Sequence, residues 1–179
     1  CDFLCCGGVT GCMCFEGLSA LDGFIRGGGM SVTFGTSGVL AVDSGIVRGI
    51  IKSDAGSMNT PGSIMTAMVT DLSSPLVYGY GELSHVMRGN APIFSVADYD
   101  RKYSPLQFGT KPFEDEPEQS AAKDKDKKDP SPLVISVAII QGESIIDGEP
   151  ALISKPLGDG NVLMCDLIPL HLTVKYHDP

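Results

Sequence analysis

The sequence lacks a basic cluster, a long apolar run and a histidine set beside an acidic partner, and each absence removes a class of function. Of 179 residues, 13 are Lys or Arg against 22 Asp or Glu, a net charge of −9. Binding to phosphate backbones needs clustered Lys and Arg, so no nucleic-acid partner is expected. No stretch approaches the roughly 18 apolar residues that cross a bilayer, and nothing has the layout of a signal peptide, so no membrane partner is expected either. Cysteine is present but not in ligand spacing. Cys1, Cys5, Cys6, Cys12 and Cys14 crowd the start and Cys165 stands apart, without the paired Cys-x-x-Cys or Cys/His pattern of a metal site. Cys5 and Cys6 point to opposite faces of a strand, and the thiols read as small buried hydrophobes. Neither a metal nor another cofactor is therefore expected in this chain. Strand-like text follows directly on Cys1, which is the expectation for a piece of a longer polypeptide.

What is present suits one α/β domain over residues 1–179. With 42% hydrophobic residues the chain can bury one sizeable core. Asp2 to Cys6 is an apolar run meeting Gly7 and Gly8, as a buried strand entering a turn does. Phe15, Leu18, Leu21 and Ile25 recur at helical spacing, and Gly27, Gly28 and Gly29 end that helix. Met30 to Phe34 reads as a strand and Thr36 to Val47 as a weaker helix. Strand, helix, strand, helix predicts a mostly parallel sheet with helices on its faces. Gly49 to Thr60 reads as loop, Ser63 to Val69 and Ala91 to Val96 as strands, and Asp71 to Pro75 as a turn. Lys111 to Pro132 carries charges of both signs, several prolines and few apolar residues, and is expected to be a disordered surface insertion. Leu133 to Ile140 reads as a strand. Ala151 to Lys155 and Asn161 to Ile168 flank Gly158-Asp159-Gly160 and predict a C-terminal antiparallel hairpin.

Two groups of residues invite a chemical reading. Phe34-Gly35-Thr36-Ser37-Gly38 stands where a strand-to-helix elbow exposes a nucleophile, which makes Ser37 the candidate catalytic residue. The text is not Gly-x-Ser-x-Gly, and none of His85, His171 and His177 has a recognisable acidic partner to complete a base. A Thr36 or Ser37 capping a helix start accounts for the same letters. Tyr78 and Tyr80, in Pro61 to Glu82, suit either strand packing or ligand stacking.

The order of several motifs resembles the class I glutamine amidotransferase-like domain that follows the catalytic domain in certain bacterial zinc carboxypeptidases of the carboxypeptidase A type. The residues carrying the resemblance are the Asp2 to Gly8 strand, Phe24-Ile25-Arg26-Gly27-Gly28-Gly29, Pro61-Gly62-Ser63-Ile64, Pro75-Leu76-Val77-Tyr78-Gly79-Tyr80, Gly158-Asp159-Gly160-Asn161-Val162 and Pro169-Leu170-His171. It implies a three-layer α/β/α sandwich, flavodoxin-like in outline, with Pro61 to Glu82 placing a strand and turn at the sheet's edge. It also implies a secreted or periplasmic setting, and the adjoining peptidase domain or a peptide as partner. Ser74 stands where the family has His, Leu172 where it has Arg, and no elbow Cys is present. The expectation is a noncatalytic accessory module with Tyr78, Tyr80 and His171 as binding residues. The alternatives are a Ser37-dependent hydrolase or divergent amidotransferase, and a degenerate remnant without ligand.

Overall fold

A computed structural model describes residues 14–53, 60, 62–110, 134–136 and 143–167. Helix α1 spans Phe15–Arg26, as its periodicity predicts, with Ile25 fully buried and Leu18 and Leu21 packed beside it, whereas Phe15, expected on the same face, is exposed. It ends where only glycine is comfortable: Gly28 sits at φ 103°, and the Gly27, Gly28 and Gly29 amides donate back to Gly23, Ile25 and Phe24. Strand β1 (Met30–Phe34) follows, then a 3-10 turn at Gly35–Ser37 and a short helix α2 (Gly38–Asp43). The second helix is shorter than its sequence suggests.

The remaining elements are β2 (Ile50–Ser53), β3 (Ser63–Val69), β4 (Leu83–Arg88), β5 (Ile93–Val96), β6 (Leu106–Phe108), β7 (Val134–Ser136), α3 (Glu143–Ile146), β8 (Pro150–Leu157) and β9 (Gly160–Cys165). The chain is a mixed α/β protein. Its main sheet runs β1-β9-β8-β6-β3-β4, with β7 also on β3, and β2 and β5 form a separate pair. The direction of the strands corrects the expectation of a mostly parallel sheet. Among the described residues β1 and β9 are the one parallel ladder, and the other ladders are antiparallel.

The reason lies in burial. Unbroken apolar runs suggest parallel strands because those are covered on both faces, yet here antiparallel strands are covered on both faces too. On β8, Leu152 enters one apolar cluster and Ile153 the other; on β9, Cys165 and Met164 divide in the same way. One cluster gathers Met65, Ala67, Phe108 and Ile146, and the second joins Ile25, Val39, Ile50 and Phe94 across α1, α2 and the small sheet. Each of these side chains larger than alanine contributes about 1.5–3 kcal/mol on burial.

The C-terminal hairpin forms as expected, with Leu157 opposite Gly160 and Gly158 at φ 64°. Its tip also completes α1. Asp159 and Asn161 donate their amides to the carbonyls of Arg26 and Gly29, both at 3.1 Å, satisfying acceptors at the helix exit. A Cβ on Gly160 would lie 2.0 Å from the Ile25 carbonyl oxygen. That position is closed to any larger residue.

Other expectations are corrected. Gly49 to Thr60 is not all loop, because β2 occupies Ile50–Ser53 and pairs with β5. Ser63 to Val69 is an inner strand, with β4 on one side and β6 and β7 on the other, so it does not mark the sheet's edge. Tyr78 and Tyr80 are not sheet residues; they follow a 3-10 turn at Pro75–Val77. Cys14 is not a buried thiol: it is exposed and disulfide-bonded. The Asp2 to Cys6 strand, the insertion at 111–132, His171 and His177 also lie outside the described residues.

Candidate functional site

The parallel pair sets up the most distinctive polar environment. Phe34 and Cys165 are register partners at the ends of β1 and β9, so the next residues, Gly35 and Asp166, emerge side by side. Gly35 takes φ 52°, turning the chain into the 3-10 segment. Asp166 is held by its amide, which donates to the Ala151 carbonyl at 2.9 Å. Arg88, the last residue of β4, reaches the same place from the far edge of the sheet and is wholly buried.

The Arg88 guanidinium is enclosed by acceptors. Nε donates to Asp166 Oδ2 at 3.1 Å, Nη1 to Thr60 Oγ1 and the Gly89 carbonyl, and Nη2 to the Ala91 and Pro92 carbonyls. The Gly89 to Pro92 loop is thereby wrapped around one cation. Thr60 is fixed in turn, its amide donating to Asn90 Oδ1 at 2.6 Å. Asp166 is less well served. Its side chain is 2% exposed, and Oδ1 has no hydrogen-bond partner among the described residues. Burial pushes its carboxyl up to about 7, overcoming the opposing pull of Arg88. A crevice of about 250 Å³ opens here, lined by Phe34, Gly35, Thr36, Gly89, Asn90, Ala91 and Asp166.

Ser37 is next to this crevice in sequence but does not line it. Its hydroxyl accepts the Phe34 amide at 2.9 Å and donates to the Phe34 carbonyl at 2.8 Å. These bonds reach back to the residue before the 3-10 turn; as the N-cap of α2, Ser37 makes no side-chain cap bond, and its hydroxyl proton is committed to the Phe34 carbonyl and not to a base. Among the described residues His85 is the one histidine, and it faces a different cavity.

That second cavity, about 310 Å³, is apolar and lies on the other cluster. Leu76, Val77, Tyr80, His85, Val86, Leu106, Leu152, Leu163, Cys165 and Leu167 are among its lining residues. The structure thus separates the two tyrosines: Tyr80 borders the groove, whereas Tyr78 does not line it and is 87% exposed. Cys165 is buried in the groove wall, and desolvation raises its thiol to about 11, away from nucleophilic reactivity. A third concavity, about 430 Å³, contains Thr70, Arg101, Gln107 and Glu149, where burial raises the Glu149 carboxyl against the pull of Ser95 and Arg101.

Arg88 and Asp166 were not singled out by sequence reasoning. The usable signal was one acidic residue inside an apolar run, Val162-Leu163-Met164-Cys165-Asp166-Leu167-Ile168, because a buried carboxylate requires a partner. No family model matches the chain, and neither a curated protein nor a solved structure does so.

Proposed function

We propose that this chain is a noncatalytic, amidotransferase-like accessory module of a zinc carboxypeptidase-type protein, and that the groove beside Tyr80 receives an apolar side chain from a peptide or from the adjoining peptidase domain. The observation that carries the noncatalytic reading is the Ser37 hydroxyl, held by both backbone groups of Phe34. A working serine nucleophile needs a base within hydrogen-bond reach, and the described residues put His85 on a separate cavity. The groove supports the binding half: a largely apolar concavity with Tyr80 and His85 at its border is the usual form of a site for one anchoring side chain. The three-layer, flavodoxin-like outline belongs to the same proposal. Its support is that α1 and α2 pack on one apolar cluster, while the other lies across the sheet.

Two experiments test this reading. A fluorophosphonate probe is expected to leave Ser37 unlabelled, and glutaminase turnover is expected to be absent; labelling or turnover lost in Ser37→Ala would establish the enzyme instead. For binding, a ¹⁵N-labelled chain titrated with the adjoining peptidase domain should show shifts around Leu76, Tyr80 and His85 that weaken in Tyr80→Ala. Shifts spread elsewhere, or none, would remove the accessory role.

A further inference from the structure

We propose that an extended peptide segment docks in the groove beside Tyr80 as an added strand on the free edge of β4, with alternate apolar side chains in the groove and a basic residue at the end beside Glu82. The inference rests on the reading of that groove as a site for an apolar side chain, and goes further by fixing the form of the occupant. In the sheet, β8, β6 and β3 lie between β9 and β4, yet Arg88 at the end of β4 bonds Asp166 just beyond β9 at 3.1 Å. The sheet therefore curls until its β4 side approaches β9. The groove occupies that gap, bordered by Ser84 to Met87 on one side and by Leu163, Cys165 and Leu167 on the other.

Backbone groups on the edge select a polypeptide. Among the described residues β4 pairs with β3 alone. The Val69 amide donates to the Glu82 carbonyl at 2.8 Å, and the groups of an antiparallel strand alternate in direction. Those of Ser84 and Val86 therefore face β3 as well, while the N–H and C=O of Leu83, His85 and Met87 face away from it. These outward groups have no hydrogen-bond partner among the described residues. They also meet the groove. Ser84, His85, Val86 and Met87 are consecutive and all border it, and since successive side chains point to opposite faces, a cavity touching every one of them runs along the backbone edge. Nor is the edge guarded: β4 has no proline, lysine or bulge, and Arg88 is buried against Asp166. Water would satisfy the edge but leave the leucine-rich wall wet. An extended chain pairs with the edge and covers that wall with every second side chain. Charge sets the end of the segment: from Asp71 to Met87 there is no Lys or Arg, while Asp71 and the exposed Glu82 are present, which favours a basic residue there.

The probe is the peptide acetyl-Lys-Thr-Leu-Thr-Leu-Thr-Lys-amide, followed by the ¹⁵N amide shifts of the chain. Saturable shifts are expected at Leu83, His85 and Met87, whose amides gain acceptors. Two analogues, one N-methylated at its leucines and one at its threonines, keep every side chain. Only one of these sets of N–H groups can face β4, so one analogue should bind about tenfold or more weaker and the other should match the parent. Glutamate in place of both lysines should weaken binding several-fold. His85→Pro deletes an outward donor that the β3 ladder does not use and should weaken the parent peptide about fivefold or more; if that variant does not fold, the N-methyl pair on the unaltered chain decides. Both analogues binding like the parent, or the glutamate peptide binding as well as the lysine one, would overturn the inference and leave the groove reading in place. Saturable binding by none of the peptides would overturn both. A dimer in sedimentation that His85→Pro dissociates would assign the edge to a second copy of the chain and overturn the inference as well.

Discussion

The buried carboxyl of Asp166 should make the chain less stable as pH rises, which is the reverse of what a carboxylate in a dominant salt bridge produces. In the unfolded chain an aspartate titrates near 3.8, and in the fold burial pushes Asp166 up to about 7. Between those values the folded state holds a proton that the unfolded state has released. Stability from this group is therefore fully present below the unfolded value, declines as pH rises through the window, and levels off above about 7. At 1.36 kcal/mol per unit, the decline between pH 5 and pH 8 is about 3 kcal/mol. Glu149 is raised in the same direction by desolvation, so the total slope is not a clean measure. Asp166→Asn isolates the term. At pH 5 the wild-type side chain is a neutral acid beside Arg88, close in shape and charge to the amide, so the two proteins should differ little. Urea denaturation at pH 5, 6, 7 and 8 should then show wild type losing about 3 kcal/mol relative to the variant. Parallel curves, or wild type gaining on the variant with pH, would show that Arg88 stabilises the carboxylate more than burial opposes it.

Other consequences are more local. Gly160→Ala places a methyl 2.0 Å from the Ile25 carbonyl and 2.2 Å from that of Gly29. It should destabilise by about 1–3 kcal/mol or more, whereas Gly81→Ala, with open space around its Cβ, should not lower the urea midpoint comparably. Ser37→Ala removes the bonds to the Phe34 amide and carbonyl and should cost about 1 kcal/mol in the same assay; no loss of stability would contradict a structural role for the hydroxyl. Cys165, raised from 9.0 to about 11, presents about a hundredfold less thiolate than an ordinary cysteine. Iodoacetamide mapping by mass spectrometry should find it unmodified in native protein at pH 8 and modified in urea, and native labelling at the rate of a free thiol would refute its burial.

Which parts of the chain were legible follows from how far apart the interacting residues are. Helix α1 and the β8–β9 hairpin are written locally, in the spacing of Leu18, Leu21 and Ile25 and in Gly158-Asp159, and both form where the text places them. Strand β4 was not anticipated: Leu83-Ser84-His85-Val86-Met87-Arg88 ends in a cation that reads as surface, yet Arg88 is buried because Asp166 and a loop of carbonyls surround it. Its acidic partner lies 78 residues away. Sheet direction was lost for a related reason, since a run such as Ala151-Leu152-Ile153 records that both faces are covered without recording which strand lies beside it. The crevice depends on all of these long-range choices together. Only the parallel register of β1 on β9 brings Gly35 beside Asp166, and only the antiparallel register of β4 on β3, with Ser63 opposite Arg88, ends β4 at that crevice. Ser37, by contrast, was conspicuous in the text because its motif is local, and its two bonds to Phe34 are local as well. A short motif can position a local side-chain bond by itself, whereas a buried carboxylate paired with Arg88 requires the whole sheet to hold it in place.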